Sequence, residues 1–371
     1  MPKSKRLHFK DIDAMRFFAF LPIFLFSVFY LTRTDDDGFH SETTIILGYI
    51  KQNSLDFFFF LSAFLITSHG LREYKYNNSF SLRDFYVRRI FRIIPLFIIG
   101  ILFTFLIHPW ILNTLKLNTI VPPSESSYLL LFPNYFSKHT PEQYIYLSII
   151  WTIYMFIQFY ITWGIILKFF KNNIRIISII FILIGIVARI VHYFLDHATF
   201  EFDTLSYGVP IGTGAILAEL IRNDSPYIAK IKTLPKKLIF PIYIFGCLFV
   251  LSGYLISTNF IVASVIPVFT CLFFSFAIIE QTFGKNSIGK LRNNKVFSHL
   301  GKASYGLILY QAIINVLLVI GMDSLDFDIA SETVKVAFLL ISFVLTWIVA
   351  DLSYNFYEKP LIRLRREFKK V

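Results

Sequence analysis

Charge is scarce in this chain of 371 residues, since only 16% of them are Asp, Glu, Lys or Arg. A soluble domain of ordinary composition carries about 25% charged residues. Hydrophobic types make up 56% of the sequence, and they are gathered into many long runs. The composition therefore excludes a soluble globular protein and predicts a membrane protein with many spans rather than a single anchor.

Several features that would indicate other functions are also lacking. The sequence contains no P-loop, no GxGxxG and no cluster with metal-ligand spacing, so we expect no metal. The two cysteines, Cys247 and Cys271, lie in apolar runs, where buried free thiols are a better interpretation than a disulfide. The net charge of +12 requires no nucleic acid, because basic loops on one side of a membrane give the same total.

Ten apolar segments are long enough to cross a bilayer, for which about 20 residues are needed. They lie at 15–32, 54–71, 92–112, 147–168, 174–195, 205–221, 238–257, 260–281, 303–321 and 333–355. The predicted fold class is an all-α polytopic membrane protein with about ten transmembrane helices. One transmembrane domain covers 1–371, with a basic lead at 1–14, an outer loop at about 113–146 and a basic tail at about 356–371. The first run lacks a small-x-small cleavage site, so we expect a retained span rather than a signal peptide.

Lys and Arg are unevenly distributed among the predicted loops. If the N-terminus is cytoplasmic, every inner loop is basic, whereas the outer loops at 197–203 and 323–332 contain no Lys or Arg. This asymmetry predicts cytoplasmic positions for both termini. We expect a multi-pass protein of the cytoplasmic (inner) membrane, and the many Phe, Ile, Lys and Asn residues favour a bacterial source.

Ionisable residues inside predicted spans are candidates for functional residues, because a charge in the membrane is costly. Asp13 and Arg16 lie three residues apart at the inner end of the first span, so they share a helix face and can pair. Arg88, Arg89 and Arg92 can face one direction where the third span leaves the cytoplasm. Such arginine clusters bind phosphate, although the positive-inside rule alone would also place them there.

Five more ionisable residues stand apart from these groups: Asp56, Arg189, His192, Asp351 and Glu358. Each is better interpreted as an isolated, satisfied interfacial residue than as a catalyst. Arg189 and His192 are the exception to watch, because their spacing puts them on one helix face near the outer side.

Six short motifs follow one another along the chain. They are DIDAMR at 11–16, SLDFFFFLSAFLI at 54–66, FYVRRIFRIIP at 85–95, DTLSYGVPIGTGAILA at 203–218, LGKASYGLILYQ at 300–311 and YEKPLIRL at 357–364. In this order, on about ten spans with a basic inner face, they resemble the motifs of the acyltransferase-3 family. That family of membrane acyltransferases includes O-acetyltransferases of bacterial surface polysaccharides, and the resemblance runs over about 11–365.

The resemblance implies transfer of an acyl group from cytoplasmic acyl-CoA, such as acetyl-CoA, to a sugar hydroxyl. It implies that acyl-CoA is held by Arg16, Arg88, Arg89 and Arg92, and that the partners are the lipid bilayer and a glycan acceptor. The chemistry needs a base for the hydroxyl proton, which is usually a histidine because its pKa lies near neutrality.

The chain departs from the family where that base is expected. In the family a histidine follows the first-span arginine by eleven positions, and the same count from Arg16 ends on Ser27. A late family motif usually ends in histidine, and Gln311 stands there. Serine cannot act as a base at neutral pH, and it is a nucleophile only with a base beside it.

The fourth span shows a similar departure. WTIYMFIQFY at 151–160 resembles the family motif Trp-Ser-Leu-x-x-Glu-x-x-Phe-Tyr and keeps Trp151 and Tyr160. The glutamate positions hold Phe156 and Ile157. The scaffold residues are thus kept, while the residues for proton transfer are replaced.

Three hypotheses follow from this pattern. The first is a pseudoenzyme that binds acyl-CoA or a membrane protein partner. The second is an active O-acyltransferase with a relocated base, for which His192 or His108 would serve near the outer ends of spans. The third is a lipid or glycan transporter, indicated only by the span 205–221 with its Gly and Pro. Further site candidates are Asp13, Asp56, Ser62, Trp151, Tyr160, His192 and Glu358.

Overall fold

Helices make up nearly all of the computed structural model, which describes residues 10–32, 42–116, 144–195, 200–256, 260–328 and 331–364 and contains no strand within these ranges. The α-helices are α1 (Lys10–Leu31), α2 (Glu42–Asn77), α3 (Leu82–Leu102), α4 (His108–Leu115), α5 (Tyr144–Phe169), α6 (Ile174–Leu195), α7 (Gly208–Arg222), α8 (Pro226–Lys232), α9 (Lys236–Ile256), α10 (Phe260–Phe283), α11 (Lys295–Lys302), α12 (Ser304–Ser324), α13 (Glu332–Ser353) and α14 (Lys359–Leu364). Short 3-10 turns lie at Lys171–Asn173, Phe200–Phe202, Thr204–Tyr207 and Leu291–Asn293.

Ten helical segments of the described chain are long and apolar enough to cross a membrane. This confirms the number of spans predicted from the sequence. The second and third segments, Glu42–Asn77 and Leu82–Leu115, exceed their predicted lengths because the helices continue into flanking polar residues. The orientation of the termini stays a prediction. Three predicted regions lie largely outside the described residues: the basic lead at 1–14, the outer loop at 113–146 and the end of the basic tail.

Two of the membrane segments contain a π-helical turn. One turn, Phe103–Ile107, joins α3 to α4, and the N–H of His108 donates to the carbonyl of Phe103. The other, Tyr354–Glu358, joins α13 to α14, and the N–H of Lys359 donates to the carbonyl of Tyr354. Single π turns inside α-helices are rare and frequently occur at functional sites.

The described chain forms two compact units. The first unit comprises Met1–Pro22, Ile45–Leu82 and Trp163–Lys302, and the second comprises Ile23–Thr44, Arg83–Thr162 and Ala303–Val371. The helices α1, α2, α3 and α5 each contribute residues to both units.

The first unit contains most of α2, whose buried side chains include five phenylalanines. Phe57, Phe60 and Phe64 are buried in one hydrophobic cluster with residues of α7 and α10. Trp163 is fully buried in the same unit, and its indole N–H donates to Thr67 Oγ1 at 2.8 Å. A buried Trp N–H needs such a partner, so this bond fixes the position of α5 against α2.

Glycines bring α6 and α7 of the first unit into backbone contact. A Cβ atom at Gly208 would overlap the carbonyl oxygen of Phe181 and the backbone of Gly185. Small residues permit such close approach between membrane helices. The pair therefore sets the distance between α6 and α7.

We expect Gly208→Ala to lower the free energy of unfolding by about 1–3 kcal/mol, because the added methyl group meets backbone atoms that cannot move aside. Chemical unfolding of the detergent-solubilised protein, followed by circular dichroism, measures the change. Gly321→Ala is the matched control, since a Cβ atom there meets nothing within 4 Å. Equal effects of the two substitutions would contradict the packing role of Gly208.

The second unit contains the C-terminal part of α1, nearly all of α3, α4, most of α5, and α12 to α14. Phe24 of α1 contacts Phe343 of α13 edge to face, with ring centroids 5.5 Å apart. Phe97 of α3 contacts Tyr154 of α5 in the same way at 5.2 Å. These aromatic contacts fasten the helices that carry most of the candidate site residues.

The two cysteines are both free, as the sequence predicted. Burial was predicted correctly for Cys271 and wrongly for Cys247, which is exposed. Its neighbours on α9 explain the difference, because Phe245 and Leu248 are 74% and 57% exposed. An apolar run in a membrane helix can face lipid rather than protein.

Candidate functional site

The predicted pair at the start of the first span is present in the first unit. Arg16 Nη1 donates to Asp13 Oδ1 at 3.1 Å. The N–H of Arg292 also donates to Asp11 Oδ1 at 3.1 Å, and a Cβ atom at Gly301 would overlap the carbonyl of Asp13. The N-terminal end of α1 is therefore held by side-chain and backbone contacts, and Arg16 takes part in that arrangement.

Asp56 and Arg189 form a buried ion pair in the first unit, so their interpretation as isolated residues was wrong. Arg189 Nη2 donates to both carboxylate oxygens of Asp56, at 2.8 and 3.1 Å. Arg189 Nε donates to the carbonyl of Ser206 at 2.9 Å. The side chains are only 8% and 1% exposed. The pair thus joins α2, α6 and the turn before α7.

His192 is also paired rather than isolated. Its Nε2 shares a hydrogen bond of 3.0 Å with Asp203 Oδ2. Asp203 further accepts from the N–H of Leu205 at 2.9 Å and from the hydroxyl of Ser206 at 3.3 Å. His192 therefore anchors the turn that precedes α7. Ser62 lies half-buried on α2 of the same unit.

Two of the predicted arginines stack on tyrosine rings in the second unit. The guanidinium carbon of Arg89 lies 5.2 Å from the ring centroid of Tyr160, and that of Arg92 lies 4.6 Å from the ring centroid of Tyr305. The two tyrosine hydroxyls share a hydrogen bond of 3.1 Å. Cation–π contacts of this kind orient a guanidinium. The tyrosines of α5 and α12 thus position the arginines of α3.

The stacked arginines leave their hydrogen-bond donors unused within the described chain. No hydrogen bond or salt bridge joins the guanidinium of Arg89 or Arg92 to another described residue. Arg89 Nε is buried and has no partner there. Each guanidinium carries five N–H donors. Arg88 lies half-buried on the same helix, so α3 presents a strongly positive, donor-rich surface suited to an anion.

Phe156 lines this cluster at one of the family's glutamate positions. Its ring stacks on Tyr160, with centroids 5.9 Å apart and planes at 28°, and meets Tyr305 at 6.2 Å. Ile157 is half-buried and Trp151 is buried. An apolar ring therefore contacts both tyrosines from a position where the family resemblance implies a carboxylate.

Glu358 belongs to the same unit and is not isolated either. It is only 6% exposed, and its Oε1 accepts from the hydroxyl of Ser353 at 3.4 Å. That hydroxyl accepts in turn from Tyr310 at 2.8 Å. The charges of Glu358 and Arg92 also interact. The π turn at Tyr354–Glu358 brings this carboxylate towards the arginine cluster, whereas Asp351 stays half-buried on α13.

Ser27 and Gln311, the two positions where the family has histidine, are joined by a residue that the sequence analysis missed. Asn315 Nδ2 donates to Ser27 Oγ at 3.1 Å and to Gln311 Oε1 at 3.4 Å. The hydroxyl of Ser342 donates to Asn315 Oδ1. Asn315 is fully buried. An asparagine within the apolar run IINVLL was the available signal.

Within the described part of the second unit, the hydrogen-bond partner of Ser27 is Asn315 rather than a histidine. His108 is buried on α4, and its ring lies 5.9 Å from that of Phe103. His69 and His299 are exposed. The geometry of the second unit thus supplies neutral hydroxyl and amide groups around Ser27.

Sequence comparisons agree with the motifs and the helical architecture. The family model described as an acyltransferase domain matches residues 9–354. The chain is 26% identical over 334 residues to O-acetyltransferase OatA of Staphylococcus aureus strain NCTC 8325, covering 83% of this chain and 52% of that protein. A second S. aureus protein, of strain COL and provisionally named an O-acetyltransferase, is 27% identical over 330 residues, with 82% and 52% covered.

The chain thus spans about half the length of the curated relatives it matches. No solved structure matches it. The family model nevertheless reaches over most of the chain and over both compact units. The chain is therefore a member of the acyltransferase-3 family of membrane proteins.

Proposed function

We propose that this protein binds acyl-CoA in the bacterial cytoplasmic membrane and does not transfer the acyl group by the histidine route of its family. The observation that carries the proposal is the pair of stacked arginines, Arg89 and Arg92, whose N–H donors have no hydrogen-bond partner in the described chain. A pseudoenzyme of this kind would report acyl-CoA to a membrane protein partner. A glycan acceptor then has no necessary role.

The arginine cluster suits the phosphates of CoA. Guanidinium groups bind phosphate oxygens through paired, charge-assisted hydrogen bonds. Arg89 and Arg92 are oriented by Tyr160 and Tyr305 before any ligand arrives, so little side-chain freedom is lost on binding. Arg89 and Arg92 form no direct salt bridge with a carboxylate of the described chain, and Glu358 interacts with Arg92 only through the longer-range attraction of their charges. The N–H donors of both arginines are therefore open to an external anion.

The surroundings of Ser27 support the absence of acyl transfer. General base catalysis requires a group with a pKa near the working pH within about 3 Å of the acceptor hydroxyl. Ser27, Gln311, Asn315 and Ser342 are all neutral and cannot take up that proton. A serine nucleophile would need a neighbouring base, whereas Ser27 Oγ accepts a hydrogen bond from the neutral amide of Asn315.

Binding of acetyl-CoA to the purified protein in lipid nanodiscs tests the proposal. We expect wild type to bind, and Arg89→Ala/Arg92→Ala to weaken binding by at least about 30-fold, which corresponds to about 2 kcal/mol lost with the charge-assisted hydrogen bonds. Isothermal titration calorimetry measures both dissociation constants. Arg83→Ala removes an exposed arginine from the same helix and should leave affinity unchanged.

Release of free CoA measures transfer in the same nanodiscs, with a bacterial cell-wall extract as acceptor. We expect release no faster than from nanodiscs without protein. Absence of acetyl-CoA binding would overturn the whole proposal. Binding with CoA release that depends on His108 or His192 would instead establish the active O-acyltransferase with a relocated base.

A further inference from the structure

Unused hydrogen-bond donors belong to Ser27 and Gln311, the two residues at positions where the family has histidine. Asn315 uses its two N–H donors on Ser27 Oγ and Gln311 Oε1. Its carbonyl oxygen accepts from Ser342. Within the described chain this leaves the O–H of Ser27 and the amide N–H groups of Gln311 without an acceptor.

Those unused donors lie where water is scarce. Gln311 is only 5% exposed, while Ser27 is half-buried, so the cluster opens on the side of Ser27. An unpaired donor inside a membrane protein is costly. A ligand oxygen that accepts from both side chains would satisfy them. A neutral acceptor group fits this site, because no charged side chain belongs to the cluster of Ser27, Gln311, Asn315 and Ser342.

The position of the cluster along α12 connects it to the arginines. Tyr305, which carries Arg92 over its ring, precedes Gln311 by six residues. Six residues of α-helix rise about 9 Å. The pantetheine arm of CoA separates its phosphates from its thioester, so a ligand whose phosphates bind the arginines can place its acyl end at the cluster.

We infer that Ser27 and Gln311 bind the carbonyl oxygen of the acyl thioester. This inference rests on the proposed binding of acyl-CoA. Both donors are neutral, so they hold the ground-state carbonyl without delivering a proton or a nucleophile. The substituted positions would thereby serve to recognise the acyl group: the protein distinguishes acyl-CoA from CoA derivatives that lack a carbonyl.

Acetyl-CoA and S-ethyl-CoA provide the test, because the thioether differs from the thioester chiefly by the absent carbonyl oxygen. We expect wild type in nanodiscs to bind acetyl-CoA about tenfold more tightly, as two net hydrogen bonds predict. The variant Ser27→Ala/Gln311→Leu should bind both ligands with the affinity that wild type has for S-ethyl-CoA. Infrared spectra of acetyl-CoA labelled with carbon-13 at the carbonyl should show a lower stretching frequency on binding to wild type only.

The outcomes separate this inference from the proposed function. Equal wild-type affinities for the two ligands, with no carbonyl shift, would overturn the carbonyl site while leaving acyl-CoA binding intact. Failure to bind either ligand would overturn the proposed function itself. Ser252→Ala is the control, since the hydroxyl of Ser252 donates within its own helix to Leu248, and it should preserve the tenfold preference. S-ethyl-CoA binding by the double variant shows that it folds.

Discussion

Replacement of Asp56 by alanine should lower the free energy of unfolding by about 3–5 kcal/mol, because it leaves the buried guanidinium of Arg189 without its counter-ion. The pair is nearly inaccessible, with side chains 8% and 1% exposed, so water cannot replace the lost carboxylate. Arg189→Met should be similarly destabilising, since it strands the carboxylate of Asp56 and the carbonyl of Ser206. Chemical unfolding in detergent, followed by circular dichroism, measures each value.

The double variant Asp56→Leu/Arg189→Met makes this expectation specific. Removing both charges eliminates the uncompensated ion, so the double variant should be more stable than either single one. Glu332→Ala is the control, because Glu332 is 85% exposed in its pair with Lys335, and exposed pairs contribute at most about 1 kcal/mol. Additive losses in the double variant would contradict the buried-pair account.

Asn315→Ala should cost about 3 kcal/mol of unfolding free energy and should also remove the preference for acetyl-CoA over S-ethyl-CoA. The substitution removes one hydrogen-bond partner from each of Ser27, Gln311 and Ser342. Each buried polar group left unpaired costs about 1–3 kcal/mol. The bonds to α1 and α13 are lost together, so Ser27 and Gln311 no longer keep a fixed position. Unfolding measurements and paired titrations report the two effects.

Asn355→Ala is the matched control for that substitution. The amide of Asn355 donates to the carbonyl of Asp351 on the same stretch of helix, so its removal disconnects no other helix. We expect less than about 0.5 kcal/mol of change, which is usual for substitutions away from packed features. If Asn315→Ala were equally mild, the polar cluster would have no role in joining α1, α12 and α13.

The spans and the pair of Asp13 with Arg16 could be predicted from the sequence because each depends only on residues close together in the chain. Bilayer thickness fixes the length of an apolar run, and all ten spans were found. Asp13 and Arg16 are neighbours on one helical turn, so their pairing needed no tertiary information. The spacing of Arg89 and Arg92 likewise predicted a common direction, although not the rings on which they stack.

The long-range contacts could not be predicted, because they depend on how the helices pack. Asp56 and Arg189 are 133 residues apart, and Ser27 and Asn315 are 288 apart. Each looked isolated or unremarkable in its own span. The rotation of α5 and α12 about their axes decides that Tyr160 and Tyr305 face the arginines. Only packing sets that rotation, whereas the family motif indicated merely that these tyrosines are kept.

The extra residue of the π turn at Tyr354–Glu358 determines the direction in which the side chains after it point. Ser353 and Glu358 meet across five positions, whereas residues five apart on an α-helix point about 140° away from each other. Deleting the 78% exposed Phe356 would restore α-helical register and rotate everything after it by about 100°. A one-residue deletion in this stretch therefore changes the direction in which the following side chains point. Two related sequences that differ only by this deletion would direct the carboxylate at position 358 towards different neighbours.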